Sequence, residues 1–504
     1  MMGQNEVLLS KESCNGCGLC VTTCPQLVFE QGQKNNIPSV SHKERCYGCL
    51  ACEEDCPKGA IIVHRMPREA PVFPLPEPGR DLKIDFLYDL LVIGAGPAGL
   101  GAAIRGRLLG LSVAVIERMP SPSISHHPDG GLFFASQDVY QVDYSKDSLH
   151  IKELDLEFPQ SMVKERLQDF SFVGPKGQRT KRRSSKWCGF PIVNKDEFVA
   201  FLSQRAQELG ATIAYNTRAK AISSADEEKN RTVTIDGDRK VKGKVLISAE
   251  GISGRLTAKT ELPVNEKTIG WSVSPYASMA PITEPSLEAS FLVGSQGDLP
   301  YLRYISSGPN GTHMAAGPIK TSKKRMIDEC ATDVLLKFIN EGKEEQELLG
   351  RNVSADEITF DGCRALVREI PKRFVATSML AVGDTITTCG MITNLLALKT
   401  GDIAAQVANG AIRKINRTDV FLSQYEKRVR KIDMFMGLEW MTNLLFKAPM
   451  KLREEKLNEL FDTLSHLCLS RMQAGEMLPL LFFYLRISPT LFFDRELRRY
   501  LLPW

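Results

Sequence analysis

The sequence predicts an α/β protein in three parts, with a small cysteine-rich module in front and a helical region behind. Three observations predict this organisation. Eight of the 13 cysteines lie between Cys14 and Cys56, a glycine-rich turn at residues 94–99 joins an apolar run to a helical segment, and apolar residues recur at helical spacing from about Asp419. At about 150 residues per domain, the 504 residues correspond to roughly three folding units.

Composition and charge exclude several classes of protein. With 43% hydrophobic and 25% charged residues, the chain is neither collagen-like nor disordered. The net charge of +4, from 64 Lys and Arg against 60 Asp and Glu, is too small for a protein that binds nucleic acid by neutralising phosphates. The N-terminus has no apolar signal region, which predicts a reducing, cytoplasmic location where thiols bind metals rather than form disulfides.

Two cysteine runs share the pattern C-x2-C-x2-C-x3-C-P. In this pattern three thiolates on a tight loop bind one cubane, and the fourth, before the proline, reaches the other cluster. The pattern therefore predicts two [4Fe-4S] clusters, one held by Cys14, Cys17, Cys20 and Cys56, the other by Cys46, Cys49, Cys52 and Cys24. Paired zinc sites, the alternative, do not need this interleaving. Residues 1–65 resemble bacterial dicluster ferredoxins.

A proline-rich stretch separates this module from the rest of the chain. Five prolines between Met66 and Gly79 disfavour a helix and predict a stiff, extended connector. The predicted domains are the dicluster module at 1–65, the linker at 66–86, the FAD-binding and substrate domains at 87–418, and the helical C-terminal region at 419–504.

The segment after the linker has the pattern of a dinucleotide-binding βαβ unit. A buried strand ends at Ile93, the G-x-G-x-x-G turn follows, and a second strand ends at Glu117. Gly94 permits the tight turn, Gly96 lets the backbone approach a pyrophosphate, and Gly99 packs helix against strand, while Glu117 accepts from ribose hydroxyls. The predicted contacts of this unit are Gly94, Gly96, Pro97, Ala98, Gly99, Glu117 and Arg118.

Two later strand ends favour FAD over NAD as the dinucleotide. One strand ends in Glu250-Gly251, and another ends in Gly383-Asp384 and is followed by a helix. Asp384 is placed to bond a ribitol hydroxyl, while the N-terminus of the following helix faces the pyrimidine edge of the flavin.

In this order and spacing, residues 87–415 resemble the flavoprotein fold of the p-hydroxybenzoate hydroxylase type, and within it the geranylgeranyl reductase family. The resemblance implies an α/β flavoprotein, with a Rossmann-type FAD-binding fold and an inserted antiparallel-sheet substrate domain, and a prenyl substrate. The chain departs from the family at Asn194, where relatives carry Arg. It also has Tyr301–Ser306 in place of Tyr-x-Trp-x-Phe-Pro, and only Gly390 in a segment where relatives have several glycines.

Other candidates have ordinary structural explanations. The resemblance implies that His126 and His127 lie where relatives have a glycine-rich loop near the flavin; a loop histidine can donate protons near neutrality, but most are solvated. Cys188 and Cys389 are more typical of buried apolar cysteines than of redox groups. We assign no catalytic residue.

A basic run between Lys176 and Lys186 predicts a solvated hairpin, and its alternative role is docking an acidic redox partner or the chain's own acidic module. The apolar stretch Met477–Phe493 is shorter than the ~20 residues that span a bilayer. It predicts burial, or a peripheral contact with the cytoplasmic membrane that admits a lipid.

The fusion of clusters to FAD predicts a converter between one-electron and two-electron chemistry. Our leading hypothesis is that a soluble ferredoxin supplies electrons through the clusters to FAD, which reduces a carbon–carbon double bond of a hydrophobic, isoprenoid-like substrate. The alternatives are electron exchange with a quinone, as in electron-transfer flavoprotein:quinone oxidoreductases, and an electron-transfer subunit of a larger complex. Because only one G-x-G-x-x-G unit is present, NAD(P)H is expected to be a poor direct donor.

Overall fold

The computed structural model describes residues 5–32, 36–65, 82–120, 139–144, 148–159, 162–167, 169–182, 190–193, 195–264, 268–282, 288–296, 299–308, 311–318, 329–387, 394–432, 435, 442–465, 497 and 500. Most of the predicted linker and the apolar stretch 477–493 lie outside the described residues. The domain boundaries stay predictions.

The cysteine-rich module contains two short helices and two two-stranded sheets. Strand β1 pairs antiparallel with β4, and β2 pairs with β3. Helices α1 and α2 each begin after a left-handed residue, Gly18 at φ 69° and Leu50 at φ 63°. Glycine adopts this conformation without a steric cost, whereas Leu50 adopts it with its side chain buried. The elements are β1 Glu6–Leu9, α1 Leu19–Thr23, β2 Phe29–Glu30, β3 Ser39–Val40, α2 Ala51–Asp55 and β4 Ile61–His64.

The rest of the chain alternates strands with a few long helices. The elements between residues 87 and 214 are β5 Leu87–Ile93, α3 Pro97–Leu108, β6 Val113–Ile116, β7 Val142–Tyr144, β8 Ser148–Ile151, β9 Leu156–Pro159, β10 Val163–Leu167, β11 Asp169–Val173, β12 Arg179–Arg182, β13 Phe190–Val193, α4 Lys195–Glu208 and β14 Thr212–Ala214. They are followed by β15 Ala219–Ile222, β16 Arg231–Ile235, β17 Lys240–Ser248, β18 Thr268–Met279, β19 Glu288–Gln296, β20 Leu299–Gly308, β21 Gly311–Pro318, α5 Ala331–Glu341, α6 Lys343–Leu349, β22 Thr359–Arg368, β23 Val375–Ala376, β24 Met379–Ala381 and α7 Asn394–Arg413.

The first large sheet has the doubly wound pattern that the βαβ unit predicts. Its order is β14-β6-β5-β17-β16-β15, and β14, β6, β5 and β17 are parallel. Strand β24 pairs parallel with β17 at Leu246–Ser248. The strands are nearly continuous apolar runs because parallel sheets are covered on both faces, and residues 90–93 and 113–116 are all buried.

Helices α3 and α7 approach each other closely because small residues line their contact. A Cβ atom at Gly401 would lie 1.8 Å from the carbonyl oxygen of Ala98, and one at Gly101 would lie 2.4 Å from that of Leu398. Both glycines are therefore required for this packing. The contact joins the helix after the glycine-rich turn to the helix that follows Gly383-Asp384.

The second large sheet has the order β12-β11-β19-β20-β21-β18-β22. It is antiparallel, as predicted, except that β11 pairs parallel with β19 from Asp169↔Glu288 to Val173↔Leu292. Helix α5 packs on one face, where Leu335 and Ile339 join Ile305 and Met314 in a buried apolar cluster. The fold class predicted from the sequence is confirmed.

The C-terminal part forms helices, as predicted, wherever the structure describes it. These are α8 Asp419–Val429, α9 Ala448–Lys451 and α10 Glu454–Ser465, with a π-helix at Asn443–Lys447 before α9. Within the described residues, no helix is long and apolar enough to cross a membrane. The peripheral contact proposed for residues 477–493 stays a prediction.

The cysteine-rich module packs directly on the second sheet and on the start of α5. The Ala331 amide donates to the carbonyl oxygen of Pro25 at 3.0 Å, and the side-chain amide of Gln26 donates to the Thr332 hydroxyl at 2.9 Å. The buried ring of Tyr47 lies over Gly362 of β22, where a Cβ atom would be 1.8 Å from a ring carbon. The module is thus seated on a surface shaped for it.

This contact predicts that Gly362→Ala displaces Tyr47 and weakens docking by about 1–3 kcal/mol, the usual cost of overpacking. Adding Gly362→Ala to Tyr47→Ala should cost little more, because the ring that clashes is gone. Urea unfolding of the four proteins in this double-mutant cycle measures the coupling. The control is Gly294→Ala, where a Cβ atom meets nothing within 4 Å. If the losses in free energy of unfolding caused by Tyr47→Ala and Gly362→Ala were additive, the two residues would not be in contact.

Candidate functional site: a dinucleotide cleft beside two cysteine sets

A cleft opens at the carboxyl ends of the parallel strands, the edge where doubly wound sheets bind ligands. Its empty volume is about 1210 Å³ when the open solvent at its mouth is included. Most of the predicted FAD contacts line it, namely Gly94, Gly96, Pro97, Glu117, Arg118, Glu250, Gly251 and Asp384. Ala98, Gly99 and Gly383 lie behind this lining, where Gly383 closely approaches Ala98.

Each of the three glycines of the turn is required for a different structural reason. Gly94 has φ 98°, and a Cβ atom there would lie 2.3 Å from the carbonyl oxygen of Ala249. A Cβ atom at Gly99 would lie 1.9 Å from the carbonyl oxygen of Gly94. At Gly96 a Cβ atom meets nothing within 4 Å, so the space beside it belongs to the cleft. The geometry suits close approach of a phosphate to the backbone at the N-terminus of α3.

Glu117 holds the turn from behind. Its carboxylate accepts from the amide of Ala95 at 2.6 Å and from the amide of Met119 at 2.8 Å, and it is buried. A carboxylate accepting backbone amides fixes the shape of both loops. Its predicted bond to a ribose hydroxyl stays a prediction.

The two later strand ends meet on the opposite side of the cleft. Glu250 accepts from the amides of Leu256 and Thr257 at 2.7 and 2.8 Å, which closes the loop beside Gly251. The Gly383 amide donates to the Thr400 hydroxyl at 2.9 Å, which ties the Gly383-Asp384 turn to α7. These contacts position the segments that we predict to bind the ribitol and flavin.

Arg368 supports the Gly383-Asp384 turn and was missed from the sequence. Its guanidinium donates to the carbonyl oxygens of Thr387, at 2.8 Å, and Asp384. The side chain is fully buried, and burial lowers its pKa to about 10. No motif marks this arginine in the sequence, because it acts from a strand that enters the site only in the folded chain.

Arg118 and two further arginines pair with the carboxylates of helix α2 in the cysteine-rich module. Arg118 and Arg218 each lie 2.8 Å from Glu53, and Arg364 lies 3.2 Å from Glu54 and 2.7 Å from Asp55. Glu53 and Glu54 also line the dinucleotide cleft. One role proposed for the basic run 176–186 was to dock the module. In the described residues, the arginines that pair with helix α2 are instead Arg118, Arg218 and Arg364.

The four cysteines of the second predicted set line one pocket, whose empty volume is about 330 Å³ when its opening to solvent is included. Cys24, Cys46, Cys49 and Cys52 all line it, together with Val7, Val28, Phe29 and Val63. Burial raises the pKa of the Cys24 thiol to about 12 and that of Cys52 well above its usual value. Such thiols bind as thiolates only when a cation is present to stabilise the charge. The apolar, sulfur-lined space fits an iron-sulfur cluster.

Within the described residues, no three Cys, His, Asp or Glu side chains converge on the position of a single metal ion.

The first predicted set lies nearer the solvent. Cys17 is exposed, Cys14 and Cys56 are half-buried, and burial raises the pKa of the Cys20 thiol to about 11. The amides of Gly16 and Ala60 donate to the sulfurs of Cys14 and Cys56 at 3.4 and 3.2 Å. Amide bonds of this kind stabilise sulfur ligands and tune cluster potentials. The eight ligand assignments stay predictions.

Several candidates lie outside the described residues. These are His126, His127, Cys188, Cys389, Gly390 and Asn194.

Comparison with known families identifies both parts of the site. The family described as "4Fe-4S dicluster domain" matches residues 13–61, and the family "FAD dependent oxidoreductase" matches residues 89–268. The chain is an FAD-dependent oxidoreductase with an N-terminal 4Fe-4S dicluster domain. The FAD match covers the glycine-rich turn, Glu117 and the Glu250-Gly251 strand end.

Relatives of this oxidoreductase support the resemblance to the geranylgeranyl reductase family. It is 24% identical to the digeranylgeranylglycerophospholipid reductase of Methanococcus aeolicus over 415 residues, 81% of this chain and 97% of the relative. It is 29% identical to a mitochondrial electron transfer flavoprotein-ubiquinone oxidoreductase of Arabidopsis thaliana over 200 residues, 34% of this chain and 29% of the relative.

Solved structures show the same fold. A geranylgeranyl bacteriochlorophyll reductase-like protein of Thermoplasma acidophilum superimposes with a TM-score of 0.61 at 20% identity, covering 82% of this oxidoreductase and 99% of that chain. A flavoprotein/dehydrogenase of Cytophaga hutchinsonii superimposes with a TM-score of 0.54 at 15% identity, covering 76% and 92%.

Gly96→Val should yield a folded protein that lacks FAD but keeps its iron. Gly96 lines the cleft where the pyrophosphate is predicted to pass, and a Cβ atom there meets no protein atom within 4 Å. The measurement is flavin released on denaturation, relative to iron content. Gly294→Val serves as the matched control, since that glycine also has open space at its Cβ position. A Gly96→Val protein with full flavin content would show that the turn does not hold the pyrophosphate.

Proposed function

We propose that this oxidoreductase takes single electrons from a soluble ferredoxin and reduces a carbon–carbon double bond of a hydrophobic, isoprenoid-like substrate. When bound, two [4Fe-4S] clusters would carry single electrons, and FAD would convert them to the hydride that the double bond needs. The observation that carries the substrate class is the similarity to the Methanococcus reductase. It extends over 81% of the chain, well beyond the residues that match the FAD family.

The placement of the cysteine sets supports electron entry through the module. Residues next to the second set contact the flavoprotein body, as Gln26 does at Thr332 and Tyr47 does at Gly362. Cys17 of the first set is exposed. This arrangement leaves part of the first set accessible to a partner protein and holds residues next to the second set against the second sheet and α5.

Aromatic side chains are buried on both faces of the second sheet. The ring of Phe291 lies 5.2 Å from that of Tyr304 and 6.2 Å from that of Phe172, so one face carries adjoining aromatic rings. Burial raises the pKa of the Tyr304 phenol above its ordinary value, which already lies well above neutrality. Tyr301, on the other face, packs against Phe338 of α5 at 5.4 Å.

A quinone is the second candidate acceptor. The similarity to the Arabidopsis ubiquinone oxidoreductase favours it, although the matched segment is only 34% of the chain.

One anaerobic experiment separates the two acceptors. The dithionite-reduced protein should reoxidise rapidly when mixed with a digeranylgeranyl lipid, and the product should gain hydrogen at its double bonds by mass spectrometry. A saturated lipid of the same headgroup is the control, because it offers no double bond. Faster reoxidation by a quinone, with the unsaturated lipid recovered unchanged, would replace the proposed function with the quinone alternative.

A separate prediction concerns the electron donor. The wild-type protein should contain about eight iron atoms, four for each cubane. The variant Cys17→Ala with Cys20→Ala, which removes two ligands of the first set, should lose iron and no longer accept electrons from reduced ferredoxin. Dithionite should still reduce the FAD that the variant retains, measured per bound flavin, since that small reagent does not need electron transfer through the module.

Stopped-flow absorbance of the flavin measures both reactions, and Cys330→Ser is the control because Cys330 belongs to neither set. Reduction of the flavin by NADPH faster than by ferredoxin, with no difference between the wild type and the double variant, would exclude the module as the electron entry.

A further inference from the structure

The dicluster module reaches into the dinucleotide cleft. Glu53 and Glu54 of helix α2 line the cleft beside residues that follow the parallel strands. Glu53 is 5% exposed, so its carboxylate is held inside the protein rather than on the module's surface. One oxygen accepts from the amide of Val63 in β4 at 2.9 Å, which fixes the side chain to the module's own sheet.

The other carboxylate oxygen of Glu53 joins two arginines that come from different loops. It lies 2.8 Å from the guanidinium of Arg118 and 2.8 Å from that of Arg218. Arg118 follows β6 directly after Glu117, and Arg218 follows β14 after Thr217. The two loops are themselves joined, since the Thr217 amide donates to the carbonyl oxygen of Glu117 at 2.9 Å.

These loops form the end of the cleft where the adenosine half of a dinucleotide lies in doubly wound folds, beyond the first strand and its glycine-rich turn. Arg118, Thr217 and Arg218 all line this end. A carboxylate with two guanidinium partners restricts both side chains to one geometry, because charge-assisted bonds are short and directional. Without Glu53, both arginines would lose their nearer carboxylate partner, and Arg118 would keep Glu54 at 3.6 Å.

We propose that Glu53 is a positioning residue for FAD, which makes the dicluster module a structural part of the flavin site. The carboxylate orients Arg118 and Arg218 around the adenosine end, and the module is therefore needed for FAD retention as well as for electron entry. This inference rests on the proposed position of FAD in the cleft. It adds a residue of the module to a site whose contacts, as predicted from the sequence, all lie between residues 94 and 384.

The test compares FAD affinity in full-length variants. Glu53→Gln keeps the size of the side chain and removes its charge, and we expect its FAD dissociation constant to rise by about tenfold, the scale of one lost charge-assisted hydrogen bond. The constant is measured by fluorescence quenching when deflavinated protein is titrated with FAD without oxygen. Iron content and visible absorption must equal those of the wild type, which shows that the module is intact.

Two controls separate positioning from docking. Arg364→Gln removes a partner of Glu54 and Asp55 but leaves the bonds of Glu53 to Arg118 and Arg218 in place, so its FAD dissociation constant should stay within about threefold of the wild type. Glu44→Gln changes an exposed carboxylate of the same module and should have no effect.

Thermal unfolding with and without FAD provides a second readout. A purely structural role would lower both unfolding temperatures of Glu53→Gln equally, whereas a positioning role reduces the increase that FAD causes.

Three results would overturn the proposal. The first is an unchanged dissociation constant for Glu53→Gln, and the second is a tighter one, as expected if the carboxylate only repelled the phosphates. The third is equal weakening by Arg364→Gln, since any loosening of the module would then suffice. A wild-type protein that binds no FAD in this cleft, tested through Gly96→Val, would instead refute the position of FAD on which the inference rests.

Discussion

The backbones of α3 and α7 touch at Gly401, where a Cβ atom would lie 1.8 Å from the carbonyl oxygen of Ala98. The walls of the cleft depend on this contact. Helix α3 begins at the glycine-rich turn, and α7 carries Thr400, which accepts the amide of Gly383. Contact between the helices therefore brings two segments nearly 300 residues apart to one edge of the sheet. Any side chain at position 401 would force the helices apart and open the site, because packed interiors have no spare volume.

The interface between module and flavoprotein body combines shape with charge. Tyr47 fills the space over Gly362, and three consecutive carboxylates of α2 each meet an arginine of the body. Burying charges costs free energy unless each is paired with good geometry. At Arg364 burial lowers the pKa of the guanidinium, but Asp55 and Glu54 more than offset this and the pKa is raised. These ion pairs offset the free-energy cost of burying the charges, and they form only when the module docks in one orientation on the flavoprotein body.

At the cysteine sets, burial and cluster binding favour opposite protonation states of the thiols. Burial favours neutral thiols, as the raised pKa values of Cys24 and Cys20 show, whereas a cluster needs thiolates. Cluster binding must therefore supply the favourable free energy that holds this module of about 60 residues together, since so small a unit buries little apolar surface. Because Glu53 and Glu54 directly follow Cys52, the ordering of the cysteines also orders the carboxylates that dock the module.

The sequence by itself determined the local features that have strict chemical requirements. The cysteine spacing predicted the dicluster domain, and Gly94 to Glu117 predicted the βαβ unit, because a tight turn and close phosphate approach tolerate few residue types. Glu250 and Asp384 were predicted from the acidic residue and glycine at the ends of two strands, and both line the cleft; their contacts with the flavin stay predictions. Tertiary structure alone decided that Arg368 supports the Gly383-Asp384 turn, that β11 runs parallel to β19, and that Glu53 reaches Arg118 and Arg218. Charged side chains follow no spacing rule, and their partners lie up to 310 residues away in the chain, so only the packing of module on body defines which of them meet.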